Sequence, residues 1–220
     1  MSNTLLILGG KPKPSIPPYK EYNDVACANA SVYSASKYNI GVPVFTVLSS
    51  YFTAGDDGMS RKGMSKIEGL KSKKVFFLTV RNTEKSILKK MAKRIYMYKN
   101  SELYARYNLW RHNFDYDVFR SRSRKWYREV INKCGEIDIK PSDKGPSSGI
   151  ISLAIGVESE KYDRYILSGF SFEHKKEYGG EEKYNPHKSY DVRFIKNISC
   201  YEKVLTTEEK VNEICNTTMI

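Results

Sequence analysis

The stretch that decides the fold reads TLLIL at Thr4–Leu8 and is followed by Gly9-Gly10. A short run of uncharged, mostly branched aliphatic residues is typical of a β-strand that is buried on both faces, as the strands of a parallel sheet are. The two glycines end the run, and residues 11–18 contain four prolines, which favours a rigid loop. We therefore expect a parallel strand that leads into a loop at its carboxyl end.

Similar apolar bursts alternate with helical patterns along the rest of the chain. Strands are predicted at residues 24–28, 43–48, 74–80, 164–167 and 203–205. Helices are predicted from Glu84, from Ser101, around 124–131 and over 149–157. The last of these (GIISLAIGV) is apolar on nearly all sides, so we expect it beneath the sheet. Thr206 and Glu209 form a capping box for a final helix.

This alternation of strands and helices predicts the fold class. It favours an α/β domain with a Rossmann-like, doubly wound, mostly parallel sheet. At 220 residues the chain fits one such domain over residues 1–220.

The composition is that of a folded protein. Hydrophobic residues make up 40% of the chain, with 17 Tyr and 9 Phe, which is too much aromatic surface for a disordered chain. No run approaches the roughly 18 apolar residues of a membrane span, and the first apolar run is too short for a signal peptide. The 4 cysteines are scattered without a C-x-x-C pair, so neither a zinc site nor a disulfide framework is predicted. These features favour a cytoplasmic protein.

The positive charge is concentrated in the middle of the chain. Residues 61–130 hold 20 Lys and Arg against 6 Asp and Glu, whereas the net charge of the whole chain is +12. The other residues therefore carry a slight negative excess. Such a segment attracts the phosphates of nucleic acid or of an anionic membrane, or a charged glycan; alternatively, it is only the solvated side of some helices.

Small or amide residues mark the carboxyl ends of three predicted strands, where ligands bind in doubly wound folds. They are Gly9-Gly10, Asn29 and Ser168-Gly169. A fourth candidate is the loop KGPSSG at 144–149, which opens the apolar helix. Its backbone N–H groups, the helix dipole and two serine hydroxyls would hold a phosphate or a carboxylate. The alternative is that Ser148 is only the N-cap of a core helix.

Five motifs together carry a resemblance to a known family. They are LILGG at 6–10, DVACAN at 24–29, PSSGIISLAIG at 146–156, RYILSGFSF at 164–172 and PHKSYD at 186–191. In this order, and over nearly the whole chain, they resemble the bacterial sialyltransferases of glycosyltransferase family 42.

The resemblance implies a Rossmann-like, GT-A-like, inverting transferase that uses no metal or other cofactor. It would move sialic acid from a CMP-activated donor to a hydroxyl of a glycan or glycolipid, as in bacterial lipopolysaccharide biosynthesis. The residues implied in nucleotide binding are Gly9, Gly10, Asn29, Lys144, Ser147, Ser148, Gly149, Ser168, Gly169 and Phe172. A lid over residues 173–190 would end near the catalytic His187, and Tyr178 matches the second of the family's paired lid tyrosines.

The chemistry of an imidazole supports the same choice of base. A histidine is the natural group to take a proton from a sugar hydroxyl as that hydroxyl attacks. His187 lies in a polar stretch rich in Lys and Gly, which is typical of a loop that closes over a substrate; His174, in the same stretch, is the competing candidate. The leaving phosphate needs donors, and Tyr178, Tyr184 and Lys144 are candidates for this role.

Four differences from the family pattern leave the donor and the activity open. Gly10 and the stretch 47–50 stand where the family carries asparagines, Glu173 stands where it carries the first lid tyrosine, and the basic residue before the Ser-Gly loop is displaced to Lys144. Another CMP-activated acidic sugar, such as Kdo, and a relative that binds nucleotide without transfer are therefore alternatives.

A basic nucleic-acid-binding protein is the alternative from a different class. Aromatic residues are interleaved with the bases of the middle segment and could stack on nucleobases; they are Tyr104, Tyr107, Trp110, Phe114, Phe119 and Trp126. Leu103, Tyr107 and Trp110 share helical spacing, however, and are predicted to form the buried stripe of a helix. The basic segment could also hold a transferase against anionic lipid at the inner membrane face. The oligomeric state is left open.

Overall fold

The structure is a computed structural model that describes residues 2–11, 13–55, 58–79, 101–135, 137, 139, 145–172 and 187–220. The helix predicted from Glu84 lies outside these residues. So does most of the predicted lid, of which residues 187–190 are described. Lys188, Ser189 and Tyr190 belong to a helix, so the carboxyl end of the predicted lid is helical.

The strands form one eight-stranded sheet in which every described pairing is parallel. Their order is β5-β4-β3-β2-β1-β6-β7-β8. The strands are β1 (Thr4–Leu8), β2 (Asp24–Ala28), β3 (Phe45–Ser49), β4 (Lys71–Thr79), β5 (Asp115–Ser123), β6 (Arg164–Ser168), β7 (Val204–Thr206) and β8 (Thr218–Met219). Six of them were predicted, whereas β5 and β8 were not. The β5 sequence, DYDVFRSRS, lacks an apolar run because it forms an exposed edge of the sheet.

Eight α-helices are described, together with two short 3₁₀ helices at Tyr19–Glu21 and Tyr201–Lys203. The α-helices are α1 (Ser31–Lys37), α2 (Ser50–Ala54), α3 (Gly58–Lys66), α4 (Glu102–Arg111), α5 (Arg124–Gly135), α6 (Ser148–Glu158), α7 (Lys188–Asn197) and α8 (Glu209–Cys215). The predicted helices that begin near residues 101, 124 and 149 correspond to α4, α5 and α6.

Side chains of β1 alternate between two hydrophobic cores. Leu5 and Ile7 pack in one core with α5, α6, α7 and α8, whereas Leu6 and Leu8 pack in the other with α1, α2, α3 and α4. Helices therefore cover both faces of the sheet, and the predicted Rossmann-like, doubly wound α/β fold is confirmed.

The order of the strands creates a switch point between β1 and β6. From β1 the chain winds outward to β5, and it then returns across the sheet through α5 and α6 to β6, on the other side of β1. Loops that leave two neighbouring strands in opposite directions open a crevice at their carboxyl ends. We call the edge of the sheet at which the strands end the carboxyl edge.

Helix α6 is buried along most of its length, as its sequence predicts. Residues 149–156 are all buried, and the helix packs across β1, β2 and β3. A Cβ atom on Gly156 would lie 2.7 Å from Cδ2 of Leu5 and 3.4 Å from the ring of Tyr165. The missing side chain at Gly156 therefore sets how closely α6 approaches the sheet.

Two local predictions are wrong. Thr206 lies in β7 rather than at a helix cap; its hydroxyl donates to Leu167 O and accepts the Glu208 N–H, and Glu208 is the N-cap of α8. The expected buried stripe of α4 faces solvent instead, with Leu103, Tyr107 and Trp110 being 74%, 50% and 72% exposed. The helix is held by its other face, where Ala105, Asn108 and Leu109 are buried.

Among the residues that the structure describes, no helix combines the length and the apolar character that a bilayer span requires.

The close contact at Gly156 makes a testable prediction. Gly156→Ala should lower the free energy of unfolding by about 1–3 kcal/mol because the added methyl group meets two buried side chains. Gly58→Ala is the matched control: Gly58 is also helical, but a Cβ there meets nothing within 4 Å. Urea unfolding should show Gly58→Ala to be neutral or stabilising; equal stability of the two variants would contradict the packing described for α6.

Candidate functional site

The loops that follow β1 and β6 touch each other through their backbones. Gly9 N donates to Ser168 O and Lys11 N donates to Gly169 O, both at 2.8 Å. A Cβ on Gly9 would lie 2.4 Å from Gly169 O, and Gly169 itself has a φ of 70°. Both positions therefore require glycine for the fold, whatever ligand they contact. A Cβ on Gly10 would meet nothing within 4 Å, so Gly10 faces open space at the carboxyl edge.

Ser168 is fully buried and anchors the proline-rich loop. Its hydroxyl donates to Ser15 O at 2.7 Å, and Thr207 Oγ1 donates to the same oxygen at 2.6 Å. These contacts hold Ser15 against the carboxyl ends of β6 and β7. The hydroxyl of Ser168, implied in nucleotide binding, therefore has a clear structural use in this fold.

Glu208 is the functional candidate at the switch point that sequence analysis missed. Its carboxylate is 2% exposed and forms an ion pair with Lys11. Glu208 Oε1 also accepts the Gly169 N–H at 2.7 Å and the Ser15 N–H at 3.3 Å. One buried carboxylate thus joins three segments. The sequence offers only a weak signal for it, namely an acidic residue directly after a short strand.

Asn29 connects the carboxyl ends of two strands to α6. It has a φ of 51°, which asparagine tolerates better than most residues. Its Oδ1 accepts the Ser49 N–H at 2.9 Å and its Nδ2 donates to Ser148 Oγ at 3.3 Å. The sequence-predicted residues Asn29 and Ser148 are therefore brought together, and the amide is a positioning group within the protein.

The amino terminus of α6 lies at this same edge. Ser147 is its N-cap, with the hydroxyl accepting the Ile150 N–H at 3.4 Å, so Ser148 is not the cap. Gly149 lets the Phe170 ring pack against the helix start, because a Cβ there would lie 2.9 Å from the ring. The first turn of a helix presents N–H groups and a partial positive charge, which suit an anionic ligand.

The first turn of α7 fastens the loop before α6 at two points. His187 Nδ1 contacts Gly145 O at 2.7 Å, and buried Asp191 accepts the Ser147 N–H with Oδ1 at 2.8 Å. A carbonyl oxygen only accepts, so the neutral ring carries its proton on Nδ1 and its lone pair on Nε2. That tautomer is the one a general base needs. Asp191 belongs to the PHKSYD motif, and its role as an acceptor for the Ser147 N–H is not predicted by the sequence.

The remaining predicted site residues divide into two groups. Lys144 and Tyr178 lie outside the described residues, as do His174 and Tyr184. Phe172 is buried in the hydrophobic core that contains α6 and α7, which gives it a packing role. The nucleotide-contacting roles carried over from the resemblance remain predictions for all of these residues.

The cysteines are poor nucleophiles. Burial raises the pKa of the Cys27 thiol, at the end of β2, to about 12, although a hydrogen bond with Ser31 opposes this. Burial also raises the pKa of Cys134 and Cys215 to about 11 and shifts the pKa of Cys200 upward. Thiolate chemistry is therefore disfavoured near neutral pH.

A cavity of about 380 Å³ lies away from the carboxyl edge, near the residues at which β3 and β4 begin. Its lining includes Val32, Val42 and Lys71. Within the described ranges, no group of three or more His, Cys, Asp or Glu side chains is placed to hold a metal ion.

Comparisons of the chain with family models, curated proteins and solved structures find no match. Function is therefore inferred from the geometry of the carboxyl edge.

The backbone contact at the switch point makes a prediction for two adjacent glycines. Gly9→Ala should lower the free energy of unfolding by about 2 kcal/mol or more, because the neighbour that the methyl group meets is backbone and cannot rotate away. Gly10→Ala should leave it within about 0.5 kcal/mol. Thermal and urea unfolding measure both. Similar losses in the two variants would show that the loops after β1 and β6 do not meet as described.

Proposed function

We propose that this protein is an inverting glycosyltransferase that moves sialic acid, or a related acidic sugar such as Kdo, from a CMP-activated donor to a hydroxyl of a glycan. The observation that carries the proposal is the hydrogen bond from His187 to Gly145, two residues before the N-cap of α6. It brings a candidate base and a candidate phosphate cradle to one edge of a doubly wound sheet. The family 42 motifs supply the remaining support.

The proposed phosphate site is the first turn of α6. Its N–H groups and helix dipole would stabilise the negative charge that grows on the CMP phosphate as the bond to the sugar breaks. Asp191 accepts the Ser147 N–H and the Ser147 hydroxyl accepts the Ile150 N–H, so the donors proposed for the ligand are the N–H groups of Ser148 and Gly149. Lys144 and Tyr178 are proposed as additional donors from the flanking segments.

His187 is the proposed general base. In this step Nε2 takes the proton of the acceptor hydroxyl, the hydroxyl oxygen forms a bond to the anomeric carbon, and the electrons of the breaking bond leave with the CMP phosphate. Attack from the side opposite the leaving group inverts the anomeric centre. The hydrogen bond to the Gly145 carbonyl would keep the Nδ1 proton in place and hold the ring while Nε2 takes the proton.

Asn29, Gly9 and Gly10 are proposed to form the other wall of the site. Asn29 follows β2 and holds Ser148, whereas the glycines follow β1 beside the switch point. Ligands in doubly wound folds lie across such strand ends. Glu208 is proposed as a positioning residue, because it fixes Lys11 and Gly169 without being exposed itself.

Nucleotide binding can be tested without knowing the acceptor. CMP should raise the melting temperature, whereas UMP and GMP should not, since a ligand at about 100 times its Kd stabilises the native state by about 2.7 kcal/mol. Ser148→Ala combined with Lys144→Ala should weaken the CMP shift. Ser159→Ala, at the other end of the same helix, is the matched control. Equal shifts with all three nucleotides, or with none, would contradict the proposal.

Transfer itself is tested at His187. The His187→Asn variant retains an N–H donor for Gly145 but has no base, so transfer from CMP-sialic acid or CMP-Kdo should slow by roughly 10²-fold to 10⁴-fold. Its CMP-induced thermal shift should equal that of the original protein. Unimpaired transfer in His187→Asn would reject this base, and loss of transfer in His174→Ala alone would assign the role to His174. CMP binding without transfer in the original protein would identify a degenerate relative.

A further inference from the structure

The outer face of α4 carries large apolar side chains where a surface helix normally carries polar ones. Leu103, Tyr107 and Trp110 lie at positions i, i+4 and i+7 and are 74%, 50% and 72% exposed. The inner face is narrower and partly polar, with the Asn108 amide donating to Thr53 O at 2.6 Å. We call Leu103, Tyr107 and Trp110 the α4 stripe. A contiguous exposed apolar group of this kind marks an interaction surface.

The stripe is accompanied by positive charge. Arg111 lies on the same helix and is exposed, whereas Arg106 forms an ion pair with Glu102 and lies over the Phe119 ring. Helix α3, which packs in the same hydrophobic core, adds exposed Arg61 and Lys62. On this face of the sheet, α3 and α4 together contain 5 Lys and Arg against 1 Asp or Glu. This excess of positive charge beside an apolar stripe favours a negatively charged partner.

We propose that the α4 stripe docks on the surface of an anionic lipid bilayer. Trp, Tyr and Leu on one face of a helix, flanked by arginines, insert into the boundary between headgroups and acyl chains, while the arginines attract acidic headgroups. Association with a second copy is disfavoured because it would bring the exposed cations Arg61, Lys62 and Arg111 of the two copies together. This surface does not require the proposed transferase chemistry, so each proposal can fail without the other.

Two observations disfavour single-stranded nucleic acid relative to a bilayer, although the outward sides of the Tyr107 and Trp110 rings are exposed. The rings of Tyr107 and Trp110 pack on each other, with centroids 6.0 Å apart and planes inclined by 36°. Their facing sides are therefore not available to a nucleobase. Phe114, which the sequence placed among the stacking candidates, is buried.

The test uses the full chain and sedimentation with vesicles of phosphatidylcholine, with and without phosphatidylglycerol. Vesicles that contain phosphatidylglycerol should bind the protein, and added salt should weaken binding. The combined change Leu103→Ser, Tyr107→Ser and Trp110→Ser should reduce the affinity by roughly tenfold or more. Tyr19→Ser with Val42→Ser, which alters two exposed apolar residues elsewhere, should bind like the original protein.

Two further measurements keep the test decisive. In a Trp126→Phe background Trp110 is the only tryptophan, and its emission should shift to the blue with anionic vesicles. Should the triple variant fold poorly, Lys62→Gln with Arg111→Gln, which changes two exposed cations, replaces it and should also weaken binding. Unchanged binding of a folded triple variant, or equal binding to neutral vesicles, would overturn the proposal. The proposal would also be overturned if the protein bound no vesicles and instead formed a dimer or a DNA complex that depends on the α4 stripe.

Discussion

The burial of β1 is the constraint from which the rest of the structure follows. Leu5, Leu6, Ile7 and Leu8 are all inaccessible to solvent, and the strand pairs with β2 on one side and β6 on the other. A strand with both faces and both edges covered requires helices above and below and a sheet that extends in two directions. The chain meets this requirement by adding β2 to β5 on one side of β1 and then β6 to β8 on the other. The switch point between β1 and β6 is a consequence of that winding.

The carboxyl edge is ordered by hydrogen bonds between segments that are far apart in sequence. Glu208 ties the loops after β1 and β6, Asn29 ties β3 to α6, and the first turn of α7 ties the loop before α6. Groups held this way need little further ordering when a ligand binds, which favours both affinity and positioning. The same contacts mean that several residues with a proposed ligand role also support the fold. Substitutions at such positions must be interpreted with stability measurements beside activity.

Helix α4 buries the face that carries Ala105 and Asn108 and exposes the face that carries Tyr107 and Trp110. Its helical spacing alone predicts that the apolar stripe is buried, but Ala105 and Asn108 allow a closer approach to α2 and the sheet than Tyr107 or Trp110 would. The large side chains are therefore left outside, at a cost in solvation that an apolar partner would remove. A bilayer seated on the α4 stripe would lie along the face of the sheet that α1, α2, α3 and α4 cover.

The sequence by itself determined the fold class, six of the eight strands and the buried helix α6, because strands covered on both faces and a core helix need uninterrupted apolar residues. It also identified Asn29 and the Ser147-Ser148 pair, since small polar residues at strand ends are local signals. Only the tertiary structure decided the exposed edge strand β5, the exposed face of α4 and the contacts of Glu208 and Asp191. Those features depend on which segments become neighbours, and the carboxylates of Glu208 and Asp191 gain their roles from backbone N–H groups that lie dozens of residues away along the chain.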